Sequence, residues 1–344
     1  MRHQSLYRVY RPQNFKEVVG QDDVVQPLLA QIEGKKVGHA YLFAGSRGLG
    51  KTSIARIFAK ELKVHERDVY ELDVASHNGV DEVRSLNDSI YTLPFASEYK
   101  VYILDEAHML SKSAWNALLK TLEEPPAHVI IILATTELDK VPETVRSRCQ
   151  VFNFKKPSRS GLAKLVQSIA KKEGVVLESA AADLVALLGD GSYRDALSVL
   201  EKALSAGDGK TLSRVQVEQA TGAPRHALVH GLATAVSTGD TAGALEVIHQ
   251  AQKATIDMQL YLMLVLEYLR QILLMRHAPE LRKEIQEELG EDAYKEAEIL
   301  AGAKDSLLTH TALGVFLDAA SRIRFSPVPA LPIELAVLAI SRQD

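Results

Sequence analysis

Gly45-Ser46-Arg47-Gly48-Leu49-Gly50-Lys51-Thr52 sits between the apolar run Tyr41-Leu42-Phe43-Ala44 and the amphipathic segment that opens at Ser53-Ile54-Ala55-Arg56. These eight residues fit the pattern G-x-x-x-x-G-K-[S/T], and a strand before it with a helix after it is the setting that pattern requires. Glycines let successive backbone N–H groups turn inward, and the N-terminus of the following helix adds positive potential, so the loop is suited to phosphate groups. Lys51 supplies a point charge, Thr52 a hydroxyl for a hard cation, and Ser53 continues the first helical turn. A chance glycine-rich loop ahead of a helix is the alternative, and the matched context weighs against it.

The pattern on either side extends this reading. Short apolar runs at 39–45, 69–74, 100–106, 129–136 and 150–154 alternate with helical periodicity at Lys51–Leu62, Val80–Leu93, Ser111–Leu122 and Pro142–Ser147. Strands alternating with helices predict a parallel sheet covered on both faces, with runs as apolar as Val129-Ile130-Ile131-Ile132-Leu133-Ala134 at its centre. Val101-Tyr102-Ile103-Leu104 ends in Asp105-Glu106. Asp105 is placed to hold Mg²⁺ beside Thr52, and Glu106 to orient or deprotonate an attacking water. A P-loop with such a carboxylate pair predicts a Mg²⁺-dependent ATPase.

Beyond Phe154-Lys155-Lys156-Pro157 only helical segments are expected, at Ser160–Lys172, Ser179–Leu188, Tyr193–Ala206 and, past Gly222-Ala223-Pro224, through to the end. The division predicted is 1–157 for an α/β domain, 158–222 for a small helical domain and 223–344 for a larger one. The length of 344 residues allows this number of cores. A formal net charge of −4 excludes a bulk basic nucleic-acid binder, so any DNA contact must come from a local surface. One cysteine, Cys149, excludes an internal disulfide framework. The most apolar stretch, Ile256–Met275, is interrupted by Asp257, Gln259, Glu267, Arg270 and Gln271, which predicts a buried helix and not a membrane span. With no secretory pattern at the start, the expected location is cytoplasmic.

Taken in order, several segments resemble the gamma/tau family of bacterial DNA polymerase III, the AAA+ motors of sliding-clamp loaders. They are Tyr10-Arg11-Pro12, Val18-Val19-Gly20-Gln21, the P-loop, Asp105-Glu106-Ala107-His108-Met109-Leu110, Asn116 through Pro126, Leu133-Ala134-Thr135-Thr136, Ser147-Arg148-Cys149 and Gly191-Ser192-Tyr193-Arg194-Asp195-Ala196-Leu197. The resemblance covers about residues 5 to 205 closely. It implies a RecA-like ATP-binding domain, a three-helix lid and an all-α collar that joins subunits.

Residue by residue, the resemblance implies that Tyr10, Arg11, Pro12, Val19 and Gly20 pack around the adenine. Thr136 corresponds to the first sensor, near the γ-phosphate. Arg148 corresponds to an arginine finger reaching ATP on a neighbouring subunit, and Arg194 to a second sensor on the phosphates of its own chain. A local surface ion pair is the alternative for Arg148, and pairing with Asp195 or a neighbour is the alternative for Arg194. Lys120 matches a position that touches the template backbone in that family, with a solvated helix lysine as the alternative, whereas at Ser76-His77-Asn78-Gly79, where the family often carries more basic residues, this chain has His77 and Gly79 instead. Expected partners are delta- and delta-prime-type subunits, further copies of this chain in a pentamer, the sliding clamp and primed DNA, with no membrane. The family's four-cysteine zinc module has no counterpart here, since only Lys63-Val64-His65-Glu66-Arg67-Asp68 bridges that gap, so no zinc is expected. Two rivals follow from the same residues: a helicase or translocase, suggested by Asp105-Glu106-Ala107-His108, and a clamp-loader subunit that does not hydrolyse.

Overall fold

Apolar strands flanked by amphipathic helices bury both faces of a sheet, and a computed structural model of the chain, describing residues 4–76, 89–207 and 209–341, has that arrangement. Five parallel strands, β1 Ala40–Ala44, β2 Val69–Asp73, β3 Lys100–Asp105, β4 Val129–Thr135 and β5 Gln150–Asn153, pair in the order β2-β3-β4-β1-β5. The bounds expected from the apolar runs hold to within a residue or so. β4 is buried along its whole length.

Alternation along the strands divides the core. Tyr41, Phe43, Val101, Ile103, Ile130 and Ile132 face one side with Ile54, Ile57 and Phe58 of the helix Lys51–Glu61. Leu42, Tyr102, Leu104, Ile131 and Leu133 face the other with Trp115, Leu118 and Leu122 of the helix Lys112–Glu123. Parallel register sets Ala44 beside Thr135 and Asp73 beside Asp105, which lines the carboxyl ends of the strands along one edge. Ligands of open α/β sheets bind at that edge. Ser111 caps the helix Lys112–Glu123 through its Oγ, which accepts from the Ala114 N–H at 3.2 Å.

Where the zinc module of the resembled family would stand, a short 3₁₀ turn, Glu66–Asp68, leads straight into β2. Asp68 is buried, and its carboxylate accepts from the backbone N–H groups of Phe95 (2.5 Å) and Ala96 (3.0 Å). Burial alone would raise its pKa, but these N–H donors, joined by the Ser97 side chain and backbone, outweigh it and the carboxyl stays below its usual range. A carboxylate clasp thus fixes the residues that precede β3. The helix expected over Val80–Leu93 lies for the most part outside the described residues.

The chain divides into two compact units, Met1–Leu162 with Gly189–Ser198, and Ala163–Leu188 with Val199–Asp344. Among its described residues the second unit is helical except for one correction to the expectation: Val176–Leu177 pairs in parallel with Thr211–Leu212. Two residues are too few to show a period of two in sequence, so this pairing left no signal.

At the centre of the second unit is the helix Met258–His277, which is long and apolar enough by composition to cross a membrane. Its Tyr261, Leu262, Val265, Ile272 and Met275 are instead buried among neighbouring helices of the unit. Tyr261 donates its hydroxyl to the Leu228 carbonyl at 3.0 Å, and Arg276 donates to the carbonyls of Leu300, Ala301 and Leu308 at 2.9 to 3.1 Å. The last carbonyls of the helix Glu291–Gly302 therefore find partners, as helix ends require.

One part-buried titratable group is expected to make this unit sensitive to acid. The ring of His226 packs edge-on against Tyr268, and its Nε2 lies 3.1 Å from Glu296 Oε2. Burial first, then the charges of Arg214 and His230, hold its pKa well below the ordinary 6.5. The folded state therefore keeps this imidazole neutral while the unfolded chain protonates it below pH 6.5, so stability falls as pH falls from there. The slope for one such group is at most about 1.4 kcal/mol per pH unit. Melting curves from pH 7 to 5 are expected to show a falling midpoint, and His226→Gln to flatten that fall; an equally steep fall in the variant would assign the sensitivity elsewhere.

Candidate nucleotide site

The loop between β1 and the helix Lys51–Glu61 turns through residues that only glycine accommodates. Gly50 has φ +92° and forms the N-terminal cap of the helix, with its backbone left-handed. Gly48 has φ +76°, and a Cβ there would lie 2.0 Å from Ser192 Oγ. Serine 192 is buried and caps the next helix by accepting from the Asp195 N–H at 3.2 Å. Leu49 is buried beneath the loop, whereas Ser46 and Arg47 are exposed at its tip.

Lys51 is only 6% exposed and donates from Nζ to the carbonyls of Gly45 (2.6 Å) and Ser46 (2.9 Å). Its ammonium is thereby held inside the loop. Burial lowers its pKa, and the charges of Glu106 and Asp105 oppose that effect. Thr52 Oγ1 donates to Asp105 Oδ2 at 2.7 Å. The two residues expected to share a cation, 53 positions apart in sequence, meet at the edge of the sheet.

Glu106 follows with φ +51°, a left-handed turn unusual for a side-chain-bearing residue. That turn brings its carboxylate to the same edge as Asp105, although neighbouring strand residues point to opposite faces. The Glu106 N–H donates to Asp105 Oδ1 at 3.0 Å, and Glu106 Oε2 accepts from Thr136 Oγ1 at 3.0 Å. Thr136 is thus placed against Glu106. Its neighbour Thr135 is buried, accepts from the Glu137 N–H, and lies 3.1 Å from His108 Nδ1. His108 Nε2 is 3.3 Å from Glu137 Oε1, and an Nε2–H tautomer satisfies both contacts. The histidine of Asp105-Glu106-Ala107-His108 is therefore a buried bridge between the ends of β3 and β4.

The remaining expected residues fall into three groups. Near the loop, Arg11 Nε donates to Ser53 Oγ at 2.8 Å, which ties Tyr10-Arg11-Pro12 to the P-loop helix. Val19 accepts from the Tyr193 hydroxyl at 2.6 Å, and Gly20, at φ +69°, comes so close that a Cβ would lie 2.7 Å from it. Arg194 is exposed and its guanidinium lies 4.7 Å from the centre of the Tyr7 ring, not against Asp195. Away from the loop, Arg148 donates from Nη2 to Glu123 Oε1 and from Nη1 to the Thr144 carbonyl, both at 2.7 Å. Lys120 is exposed on the helix Lys112–Glu123. Of Ser76–Gly79, residues 77–79 lie outside the described residues. Among the described residues, no group of three or more His, Cys, Asp or Glu side chains could hold a metal ion.

Tyr7, Ser192 and Glu123 were not read from sequence. Ser192 carried a usable signal, because a serine three residues before an N–H of the first turn is a helix cap. The others depend on contacts between residues 25 or more positions apart, or on an aromatic ring with no pattern around it.

Comparison with known proteins agrees along the chain. Residues 66–158 match the family described as DNA polymerase III, delta subunit, residues 162–209 the DNA polymerase III clamp loader subunit ATPase lid domain, and residues 212–343 the DNA polymerase III subunits gamma and tau domain III. The tau subunit of Bacillus subtilis is 39% identical over 321 residues, covering 86% of this chain and 56% of that protein. Gamma/tau of Mycobacterium tuberculosis is 37% identical over 299 residues, covering 80% and 52%. This chain thus spans about half the length of those two relatives. The gamma subunit of Buchnera aphidicola is 31% identical over 98% of each chain. In fold, the chain is similar to RuvB of Thermotoga maritima, a Holliday junction branch migration motor, with a TM-score of 0.55 at 18% identity over 89% of this chain and 97% of that one. On the extent of the match to the Buchnera protein, and on three DNA polymerase III domains in consecutive order, the chain belongs to the gamma/tau family of DNA polymerase III.

Proposed function

We propose that this chain is an ATP-hydrolysing motor subunit of a sliding-clamp loader, acting in the DNA polymerase III holoenzyme to open the clamp and place it on primed DNA. The observation that carries the reading is the cluster Lys51, Thr52, Asp105, Glu106 and Thr136 at one sheet edge, in a chain of the gamma/tau family. A subunit that only bound partners would not need Glu106 turned into a left-handed conformation and held by Thr136.

The residues suit ATP with Mg²⁺. Thr52 Oγ1 and Asp105 Oδ2 are hard oxygen donors 2.7 Å apart, close to the roughly 2.9 Å between adjacent ligands of an octahedral Mg²⁺. When bound, that cation neutralises phosphate charge. The chain's own groups do the rest. Lys51 exchanges the Gly45 and Ser46 carbonyls for phosphate oxygens. Glu106, steadied by Thr136, orients the attacking water and accepts its proton. The N-terminal segment Tyr10-Arg11-Pro12 with Val19 and Gly20 encloses the base. Arg194 leaves the Tyr7 ring, a weak contact at an exposed site, for the phosphates. That exchange couples nucleotide to the helix Tyr193–Ala206.

In this reading 1–157 binds ATP, 158–222 is the lid and 223–344 the collar. Delta- and delta-prime-type subunits and further copies of the chain complete a cytoplasmic pentamer, and Lys120 touches the DNA backbone without reading sequence. The test is steady-state ATPase activity of the chain with its host's other loader subunits and clamp, with and without primed DNA. Stimulation that requires clamp and primer junction together is expected. Stimulation by any single strand, with duplex unwinding and no clamp dependence, would replace this reading with the helicase.

A further inference from the structure

The side chain proposed to work on a neighbouring subunit is already held in place on its own. Arg148 follows the short helix Glu143–Arg146, and its guanidinium is gripped at two corners, by the Thr144 carbonyl on Nη1 and by Glu123 Oε1 on Nη2. Glu123 is the last residue of the helix Lys112–Glu123, which is anchored in the sheet by buried Trp115, Leu118 and Leu122. Pro125 and Pro126 follow and end that helix, and Pro126 accepts from the Val129 N–H at the start of β4. The carboxylate therefore stands on a rigid element at a defined height beside Arg148.

We propose that Glu123 is a positioning residue for the arginine finger: it fixes the Arg148 guanidinium in a reaching rotamer before the neighbouring ATP arrives. This inference rests on reading Arg148 as a finger acting in trans. A free arginine loses rotamer freedom when immobilised. An arginine already held at two nitrogens loses less when its remaining donors meet a phosphate. The side chains of the pair are 36% and 52% exposed, so its contribution is limited to that of a surface ion pair.

The test is ATP turnover by the assembled loader with clamp and primed DNA, comparing parent, Glu123→Gln, Arg148→Ala and the double variant. Glu123→Gln is expected to lower stimulated kcat by about fivefold, the upper end of an exposed pair's contribution. KM for ATP and the melting curve are expected to stay unchanged, which separates positioning from a folding defect. In the Arg148→Ala background the same substitution is expected to change nothing further, because its effect passes through Arg148. Full turnover in Glu123→Gln, or an equal loss in both backgrounds, would overturn the positioning role while leaving the finger in place. Normal stimulated turnover in Arg148→Ala would overturn the finger itself, and this inference with it.

Discussion

Lys51→Ala weakens ATP binding by about a hundredfold or more, and with it all turnover. The expectation follows from what Lys51 now does. Its ammonium is nearly buried and spends its hydrogen bonds on the Gly45 and Ser46 carbonyls, inside the loop that phosphates would enter. Hydrogen bonds to a charged group contribute about 1.5–3 kcal/mol each, and two of them to phosphate account for a factor of a hundred or more. Removing the ammonium also relieves the chain of a desolvated charge, so the variant is expected to fold, with any change in melting temperature coming from the two carbonyls left without a donor. Equilibrium titration with a fluorescent ATP analogue checks this. Undiminished binding by a folded Lys51→Ala chain would refute the phosphate-loop reading of residues 45–52.

The features legible in sequence were those carried by short-range pattern. The loop at residues 45–52 and the five strand positions followed from glycine spacing and from apolar runs of strand length, and they appear in the structure nearly at the expected bounds. Asp105 and Glu106 were legible because a strand ended in two carboxylates. What sequence did not carry were contacts made by the fold. Nothing near Tyr7 marks it as the ring under Arg194. Nothing in Glu123-Glu124-Pro125-Pro126 marks one of two adjacent glutamates as the partner of Arg148, since helix phase at the end of that helix decides which one faces it. The Asp68 clasp was invisible for the same reason: its donors are backbone N–H groups 27 and 28 residues away. For Arg148, both sequence readings remain in play at once. The local ion pair expected of a surface arginine is present, and such a pair is weak enough to coexist with a role elsewhere.

Arg148→Ala therefore separates those two readings, because they predict effects of very different size. Loss of an exposed ion pair alone alters stability by at most about 1 kcal/mol and leaves turnover near normal. Loss of a finger removes a permanent positive charge from a transition state whose negative charge is spread over phosphoryl oxygens, and in related chemistry that lowers kcat by about 10³-fold or more. The expected result is a chain that binds ATP like the parent and assembles with its partner subunits. Its clamp- and DNA-stimulated turnover should fall by about three orders of magnitude. Direction of action can be read in the same experiment by mixing. A loader containing both Lys51→Ala and Arg148→Ala copies pairs an empty site that still carries a finger with a filled site that has lost its own. If Arg148 acts across the boundary, some of those junctions regain turnover that neither variant shows alone. If Arg148 serves only the site of its own chain, the mixture stays as inactive as its components, and the trans assignment falls while the ATPase assignment stands.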